Sequence, residues 1–111
     1  MIDDYSFGRM VIDGKVFDSD LKIFPDGVRP NWRRKSGHVL QLEDISDVFA
    51  FRPKLFIIGK GYSGMMDVSE KVKTRLDEEN IAYFATDTST AVDAYNKNCD
   101  GKTVCVFHLT C

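Results

Sequence analysis

Apolar residues in the second half of the chain form three short runs separated by amphipathic segments. Leu55–Ile58 is apolar without alternation, which is typical of a central strand covered on both faces. Ile81–Ala85 and Thr103–Phe107 are the other two runs, and both are rich in residues that favour strands. This order predicts a β-α-β-α-β unit over residues 55–107. Right-handed crossovers would make it a small parallel sheet with helices packed against it.

The two amphipathic segments supply the helices of this unit. In the first, Asp67 is a candidate N-cap with Glu70 at the N3 position. The second helix is predicted to begin at Thr88 or Thr90 and to run to about Asn98. The predicted apolar stripes are Met65, Val68, Val72 and Leu76 in the first helix, and Ala91, Val92, Tyr95 and Cys99 in the second.

Short strands joined by tight turns are predicted in the first half of the chain. Arg9–Ile12 and Lys15–Phe17 flank the pair Asp13-Gly14. An Asp-Gly pair between β-forming residues predicts a hairpin with a type I′ turn, because that turn needs positive φ at two positions. Leu21–Phe24 is a further strand, and Pro25–Gly27 ends it in another turn.

The segment between that turn and the parallel unit is less regular. Residues 28–37 are predicted to form an irregular basic loop and His38–Leu42 a short strand. Asp44 is expected to cap a short helix that Pro53 ends, with Ile45, Val48 and Phe49 on its apolar face. The chain is therefore predicted to be one α/β domain over residues 1–111. Residues 1–52 form a β-rich half and residues 53–111 the β-α-β-α-β half.

Length and charge exclude several classes of function. A chain of 111 residues is one domain, and its formal net charge of −2 argues against a general nucleic-acid binder, which needs a large positive field. No apolar run approaches the ~20 residues of a membrane span, and the acidic segment 1–5 does not resemble a signal peptide. We therefore expect a cytoplasmic protein with no membrane or nucleic-acid partner.

A glycine-rich loop follows the first strand of the parallel unit. Gly59, Gly61 and Gly64 have the spacing of a dinucleotide-binding turn, Lys60 adds a positive charge, and Asp87 follows the second strand, where a ribose-binding acid would lie. Against that function, Asp67 and Glu70 would occupy the free N–H groups of the helix, and the chain is too short for a second mononucleotide half. We expect a structural turn or pocket wall and no cofactor, with a small anion as the alternative.

The reactive side chains are few. The three cysteines are Cys99, Cys105 and Cys111, each six residues from the next, and this spacing matches no metal-binding motif. Their odd number also argues against a disulfide framework. Cys105 is expected in the core and no cysteine is expected to be a nucleophile. His38 and His108 are the only histidines. They could line a small-molecule pocket beside the glycine loop, since ligands bind at that edge of a parallel sheet.

An aromatic residue stands among basic residues in the irregular loop. Trp32, Arg33 and Arg34 could in principle stack on and neutralise a single-stranded nucleic acid, but the cluster is short and the rest of the chain is acidic. Trp and Arg are favoured anchors of protein interfaces. We therefore predict that these three residues belong to an exposed interaction surface.

Several short motifs recur in a fixed order over the whole chain. They are Phe7-Gly8, Asp20, Trp32, Gly37-His38, Ile58-Gly59-Lys60-Gly61, Thr88, Ala91, Asn96 and His108-Leu109-Thr110-Cys111. With these motifs the chain resembles the small uncharacterised-domain family that includes the adipogenesis-associated domain protein and a mitochondrial complex I assembly factor. The resemblance implies a three-layer α/β fold and an assembly or regulatory role without catalytic residues. Lys60 departs from the small hydroxyl residue common in that family.

Two functions remain open on the sequence. The first is a non-catalytic binding or assembly protein that acts through protein contacts, with a protein partner or a second copy of the chain. The second is a small-molecule- or anion-binding protein, or a minor enzyme, that uses the glycine loop at residues 59–64 with His38, Asp87 and His108.

Overall fold

The computed structural model describes residues 1–111. A 3-10 helix over Leu42–Ile45 leads into the first α-helix. The strands are β1 (Ile2–Ser6), β2 (Arg9–Ile12), β3 (Lys15–Phe17), β4 (Leu21–Phe24), β5 (Gly27–Arg29), β6 (Val39–Leu40), β7 (Leu55–Lys60), β8 (Asp67–Val68), β9 (Ala82–Thr86) and β10 (Thr103–His108), and the α-helices are α1 (Ser46–Phe51), α2 (Glu70–Glu78) and α3 (Thr88–Asn98).

A five-stranded mixed sheet with the order β5-β4-β10-β7-β9 forms the centre of the molecule. β7 pairs in parallel with both β9 and β10, which confirms the β-α-β-α-β unit. β4 adds to β10 in the antiparallel sense and β5 to β4. The two halves of the chain therefore share one sheet, with β10 joining them.

Alternating residues of the buried strands supply two separate hydrophobic cores. Phe56, Ile58 and Val106 face the side covered by α1, α2 and the 3-10 helix. Ile57 and Phe107 face the opposite side, which α3 and the antiparallel sheet β1-β2-β3 cover. This arrangement is a three-layer α/β fold, and it confirms the predicted fold class. No helix has the length and apolar content needed to cross a membrane.

The hairpin between β2 and β3 has the turn that its sequence predicts. Asp13 has φ 49° and Gly14 has φ 82°, so both central residues are in the left-handed region that a type I′ turn requires. β1 and β5 were not predicted. β1 pairs with β2, and β5 covers the last residue of the predicted turn and the start of the segment expected to be an irregular loop.

The start of α2 differs from the prediction. Asp67 is not its N-cap, because Asp67 and Val68 form β8, which pairs in parallel with β6. Ser69 takes the cap position instead, and its hydroxyl oxygen accepts a hydrogen bond from the Val72 amide. Met65 is exposed and does not extend the buried stripe of this helix.

Two further local predictions are also wrong. Asp44 does not cap α1, because it lies within the 3-10 helix and its carboxylate accepts hydrogen bonds from the amides of Gln41 and Lys35. Cys99 follows the last residue of α3 and is exposed, so it does not belong to the apolar face of that helix. α3 itself begins at Thr88, the first of its two predicted starts, and the Asp87 carboxylate caps it by accepting a hydrogen bond from the Thr90 amide.

Candidate functional site

The basic loop after β5 folds into the protein, which contradicts its predicted exposure. Trp32 is 9% exposed and is part of a hydrophobic core, and the Arg34 side chain is 5% exposed. The Trp32 indole N–H donates to the Asp44 carbonyl at 3.1 Å, and its backbone N–H donates to the Asp20 carbonyl at 2.9 Å. The Arg34 guanidinium carbon lies 4.7 Å from the centre of the Trp32 ring. Of the three residues predicted to be exposed, only Arg33 is.

Asp20, which is partly buried, is the centre of a polar network beneath this loop. Its carboxylate accepts hydrogen bonds from Arg34 Nη1 at 2.8 Å, from His108 Nδ1 at 2.8 Å and from the Leu109 amide at 2.7 Å. Burial on its own would raise the pKa of Asp20, but these hydrogen bonds outweigh it and the net pKa is lowered. Asp20 is therefore a carboxylate at neutral pH, and its oxygens have donors in place.

The Asp20 carboxylate favours one tautomer of His108. Because Nδ1 lies against the Asp20 carboxylate, the proton of a neutral ring is on Nδ1 and the lone pair is on Nε2. Arg34 Nη2 lies 3.1 Å from the same Nδ1 atom and donates to the Gly37 carbonyl at 3.1 Å. An imidazole oriented by a carboxylate is chemically able to accept a proton at Nε2. The buried Nε atom of Arg34 has no protein hydrogen-bond partner.

A second ion-pair cluster lies next to the same tryptophan. Lys22 Nζ donates to the Asp44 carbonyl at 2.9 Å and to Asp47 Oδ1 at 2.8 Å, and it lies 5.4 Å from the centre of the Trp32 ring. Burial acts to raise the pKa of Asp47, but the hydrogen bonds and charges of Lys22 and Arg29 outweigh it and the net pKa is lowered. These contacts fasten α1 to β4 beside the Trp32 ring.

The glycine loop packs tightly against the segment after β10. A Cβ atom placed on Gly61, whose φ is +105°, would lie 2.6 Å from the Thr110 carbonyl oxygen and 2.8 Å from His108 Cδ2. The Gly61 amide donates to Thr88 Oγ1 at 2.9 Å, and the Tyr62 amide donates to the Thr110 carbonyl at 2.7 Å. The glycine therefore permits a close approach of protein to protein, and these two amides have partners within the chain.

The structure brings together only part of the predicted pocket. Gly59, Gly61 and His108 lie around the Thr88 hydroxyl, and Gly64 faces Asp87. The net pKa of Asp87 is lowered, chiefly by its hydrogen bond from the Thr90 amide. Two predicted members lie elsewhere.

Those two members are Lys60 and His38. Lys60 lines an open depression of about 570 Å³ together with Asp67, Glu70 and Lys73. His38 is exposed, and its backbone carbonyl accepts from the Asp67 amide. No surface depression in the structure is lined by Gly59, Gly61 or either histidine. There is also no group of three or more His, Cys, Asp or Glu residues that could hold a metal ion.

An exposed pair of aromatic rings lies over this close-packed region. Phe7 is 57% exposed and Tyr62 is 55% exposed, and their ring centres are 6.0 Å apart in an edge-to-face arrangement. Tyr5 lies 6.3 Å from Tyr62, and its hydroxyl donates to the Leu109 carbonyl at 2.8 Å. Burial raises the pKa of Tyr5 to about 12.

Sequence reasoning missed this aromatic surface, because Phe7 and Tyr62 are 55 positions apart in the sequence. The backbone next to each ring is fixed, since the Gly8 amide donates to the Leu109 carbonyl at 2.8 Å and the Tyr62 amide donates to Thr110. We call Phe7, Tyr62 and Tyr5 the aromatic surface.

Comparisons with known proteins give a family and a fold. A family model described as a protein of unknown function (DUF498/DUF598) matches residues 2–108. No curated protein matches the chain. The solved structure of MT938 is similar, with 26% identity, a TM-score of 0.78, and coverage of 100% of this chain and 98% of that chain.

Two further solved structures share the fold at lower identity. One is the conserved hypothetical protein PH1505 from Pyrococcus horikoshii OT3, with 22% identity, a TM-score of 0.81, and coverage of 100% of this chain and 99% of that chain. The other is described as an outer membrane protein from Bartonella henselae, with 22% identity, a TM-score of 0.82, and coverage of 98% of this chain and 93% of that chain.

Proposed function

The chain belongs to the DUF498/DUF598 family of proteins of unknown function, and from that premise we propose that it is a non-catalytic binding or assembly protein that acts through protein contacts. The observation that carries this proposal is the aromatic surface. Its two exposed rings stand on backbone that is hydrogen-bonded to residues 109 and 110. The sequence resemblance to the family that includes the adipogenesis-associated domain protein and a complex I assembly factor supports the same role.

The physical properties of the aromatic surface suit protein recognition. Exposed aromatic side chains in contact with each other present a large apolar area, and such patches mark interaction sites. Tyr and Phe lose little conformational entropy when they bind, because each has only two side-chain torsions. Rings on fixed backbone lower the ordering cost further. A partner with an exposed aliphatic or aromatic side chain would fit against the edge-to-face pair of Phe7 and Tyr62.

Site-specific photo-cross-linking tests this proposal. A photoreactive phenylalanine at position 62 is expected to give discrete adducts in cell extract that excess unlabelled protein suppresses. Unlabelled Phe7→Ser protein should compete poorly. A matched probe at Val16, which is equally exposed but lies on β3, should not give those adducts. Identical adducts from both positions, or equal competition by the Phe7→Ser variant, would contradict the proposal.

One observation favours the second function, a small-molecule site at the glycine loop. Asp20 orients His108 so that its Nε2 atom carries a lone pair, which is the arrangement of a general base. NMR spectra of the ¹⁵N-labelled protein separate the two functions. Shifts confined to His108 and the 59–64 backbone on addition of carboxylate or phosphate compounds would favour this second function over the first.

A further inference from the structure

The outer edge of β9 is an unprotected sheet edge. β9 lies at the end of the five-stranded sheet, and its only backbone partner is β7. No backbone hydrogen bond outside the ladder involves residues 82–86. Half of the N–H and C=O groups of this strand therefore point outward without a partner in the protein.

The other edge strands of three or more residues carry charges, but β9 does not. β1 contains Asp3 and Asp4, β3 contains Lys15 and β5 contains Arg29. β9 is Ala-Tyr-Phe-Ala-Thr, and Phe84 at its centre is 44% exposed. Proteins protect free edges against strand pairing with charged residues. The lack of such protection at one edge indicates that this edge is used for pairing.

Open grooves flank the edge on both faces of the sheet. Phe84 shares a face with Ile57 and lines a depression of about 470 Å³ against α3. Tyr83 and Ala85 point to the other face and line the depression of about 570 Å³ beside α2. An added strand places alternate side chains on opposite faces, so one side chain would enter each groove in turn.

From these observations, we propose that β9 pairs in the antiparallel sense with β9 of a second copy of the chain, joining two five-stranded sheets into one sheet of ten strands. The two-fold axis would pass through Phe84. In that register Phe84 of one copy lies opposite Phe84 of the other. Tyr83 of each copy lies opposite Ala85 of the other, so a large side chain is paired with a small one. An isologous contact of this kind closes at two copies.

The charges beside the edge favour a second copy over an unrelated extended peptide. The groove beside α3 contains Asp93 and Lys97, one helical turn apart, and the groove beside α2 contains two acidic and two basic residues. Each groove is therefore balanced in charge. The two-fold axis runs the two α3 helices antiparallel, so Asp93 and Lys97 of one copy would face the same two residues of the other copy in the reverse order.

The spacing of the two α3 helices also permits this dimer. α3 packs chiefly on β7, and β7 of one copy would lie three strand steps, or about 14 Å, from β7 of the other. A helix with its side chains is about 10–12 Å wide, so the two α3 helices would not collide. The narrow space between them lies above the two Phe84 rings. The two α3 helices therefore leave room for the sheet to extend through β9.

Sedimentation velocity combined with hydrogen exchange tests this pairing. The wild-type protein is expected to form dimers as its concentration rises, with increasing amide protection confined to residues 82–86. Phe84→Lys puts two like charges face to face at the axis and should weaken dimerisation at least tenfold. Ala82→Lys is a second variant at an exposed position of the same strand. Val16→Lys, at an exposed position on the β3 edge, is the matched control and should dimerise like the wild type.

Two results would overturn the proposal. The first is a protein that stays monomeric up to millimolar concentration. The second is a dimer that Val16→Lys weakens as much as Phe84→Lys does, or whose protected amides lie outside residues 82–86. Circular dichroism of each variant verifies that a loss of dimer is not a loss of folding. A failure here leaves the aromatic surface untouched, because Phe7 and Tyr62 do not belong to β9.

Discussion

Replacement of Asp20 by Ala is expected to be strongly destabilising. The Asp20 carboxylate accepts three hydrogen bonds of 2.7–2.8 Å, one of them from the buried Arg34 guanidinium. Removal of one partner of a buried ion pair costs about 3–5 kcal/mol, because the other charge stays buried without compensation. Single domains have a total stability of roughly 5–15 kcal/mol, so this loss is a large fraction of the total.

Urea unfolding measures this loss directly. Trp32 is the only tryptophan and lies against Arg34, so its fluorescence reports on the network as the protein unfolds. Asp18→Ala is the matched control, since Asp18 is exposed two positions earlier and its replacement should change stability by less than about 0.5 kcal/mol. A loss below about 1 kcal/mol for Asp20→Ala, the value of a surface ion pair, would refute the reasoning.

The pH dependence of the same variant has a definite sign. The folded-state pKa of Asp20 is below its unfolded value, so the carboxylate stabilises the protein fully above the unfolded pKa of about 3.9. This contribution is lost as the pH falls through the folded pKa. The stability difference between the wild type and Asp20→Ala should therefore shrink below about pH 4. A difference that grows as the pH falls below about 4 would contradict the described network.

Three further predictions concern the glycine loop and the cysteines. Gly61→Ala should cost several kcal/mol in urea unfolding, because its Cβ would lie 2.6 Å from a carbonyl oxygen, whereas Gly101→Ala, with open space around it, should be nearly neutral. Cys105 should resist thiol reagents in the native state, since burial raises the pKa of its thiol, and mass spectrometry should find Cys99 and Cys111 labelled first. Titration calorimetry with NAD and FAD should show no binding, and micromolar affinity would contradict the close-packed loop.

The parts of the fold that the sequence predicted depend on local signals. The strands β7, β9 and β10 were predicted because their apolar runs are longer than those of a typical loop. The turn at Asp13-Gly14 was predicted because its type depends only on these two residues. β1 was missed because four of its five residues are not buried, and β5 because it has three residues. Neither shows enough periodicity to predict a strand.

The errors at the site arise from contacts between distant residues. Trp32 and Arg34 are surrounded by polar neighbours in the sequence, yet Asp20 and His108 provide a buried counter-charge and hydrogen-bond partners. Composition cannot show that a basic loop has such partners. Asp67 and Ser69 are both good caps, and the pairing of β6 with β8 decides between them.

The central place of β10 has a consequence for how the chain folds during synthesis. β10 comes last among the strands in sequence, and it lies between β4 and β7 with all six of its residues buried. While a ribosome still holds residues 103–108, β4 has no partner on that side and both hydrophobic cores lack a wall. The nascent chain would expose apolar strands until β10 emerges, so folding should occur late and in one cooperative step. A nascent chain stalled before Thr103 would therefore depend on chaperones for its solubility.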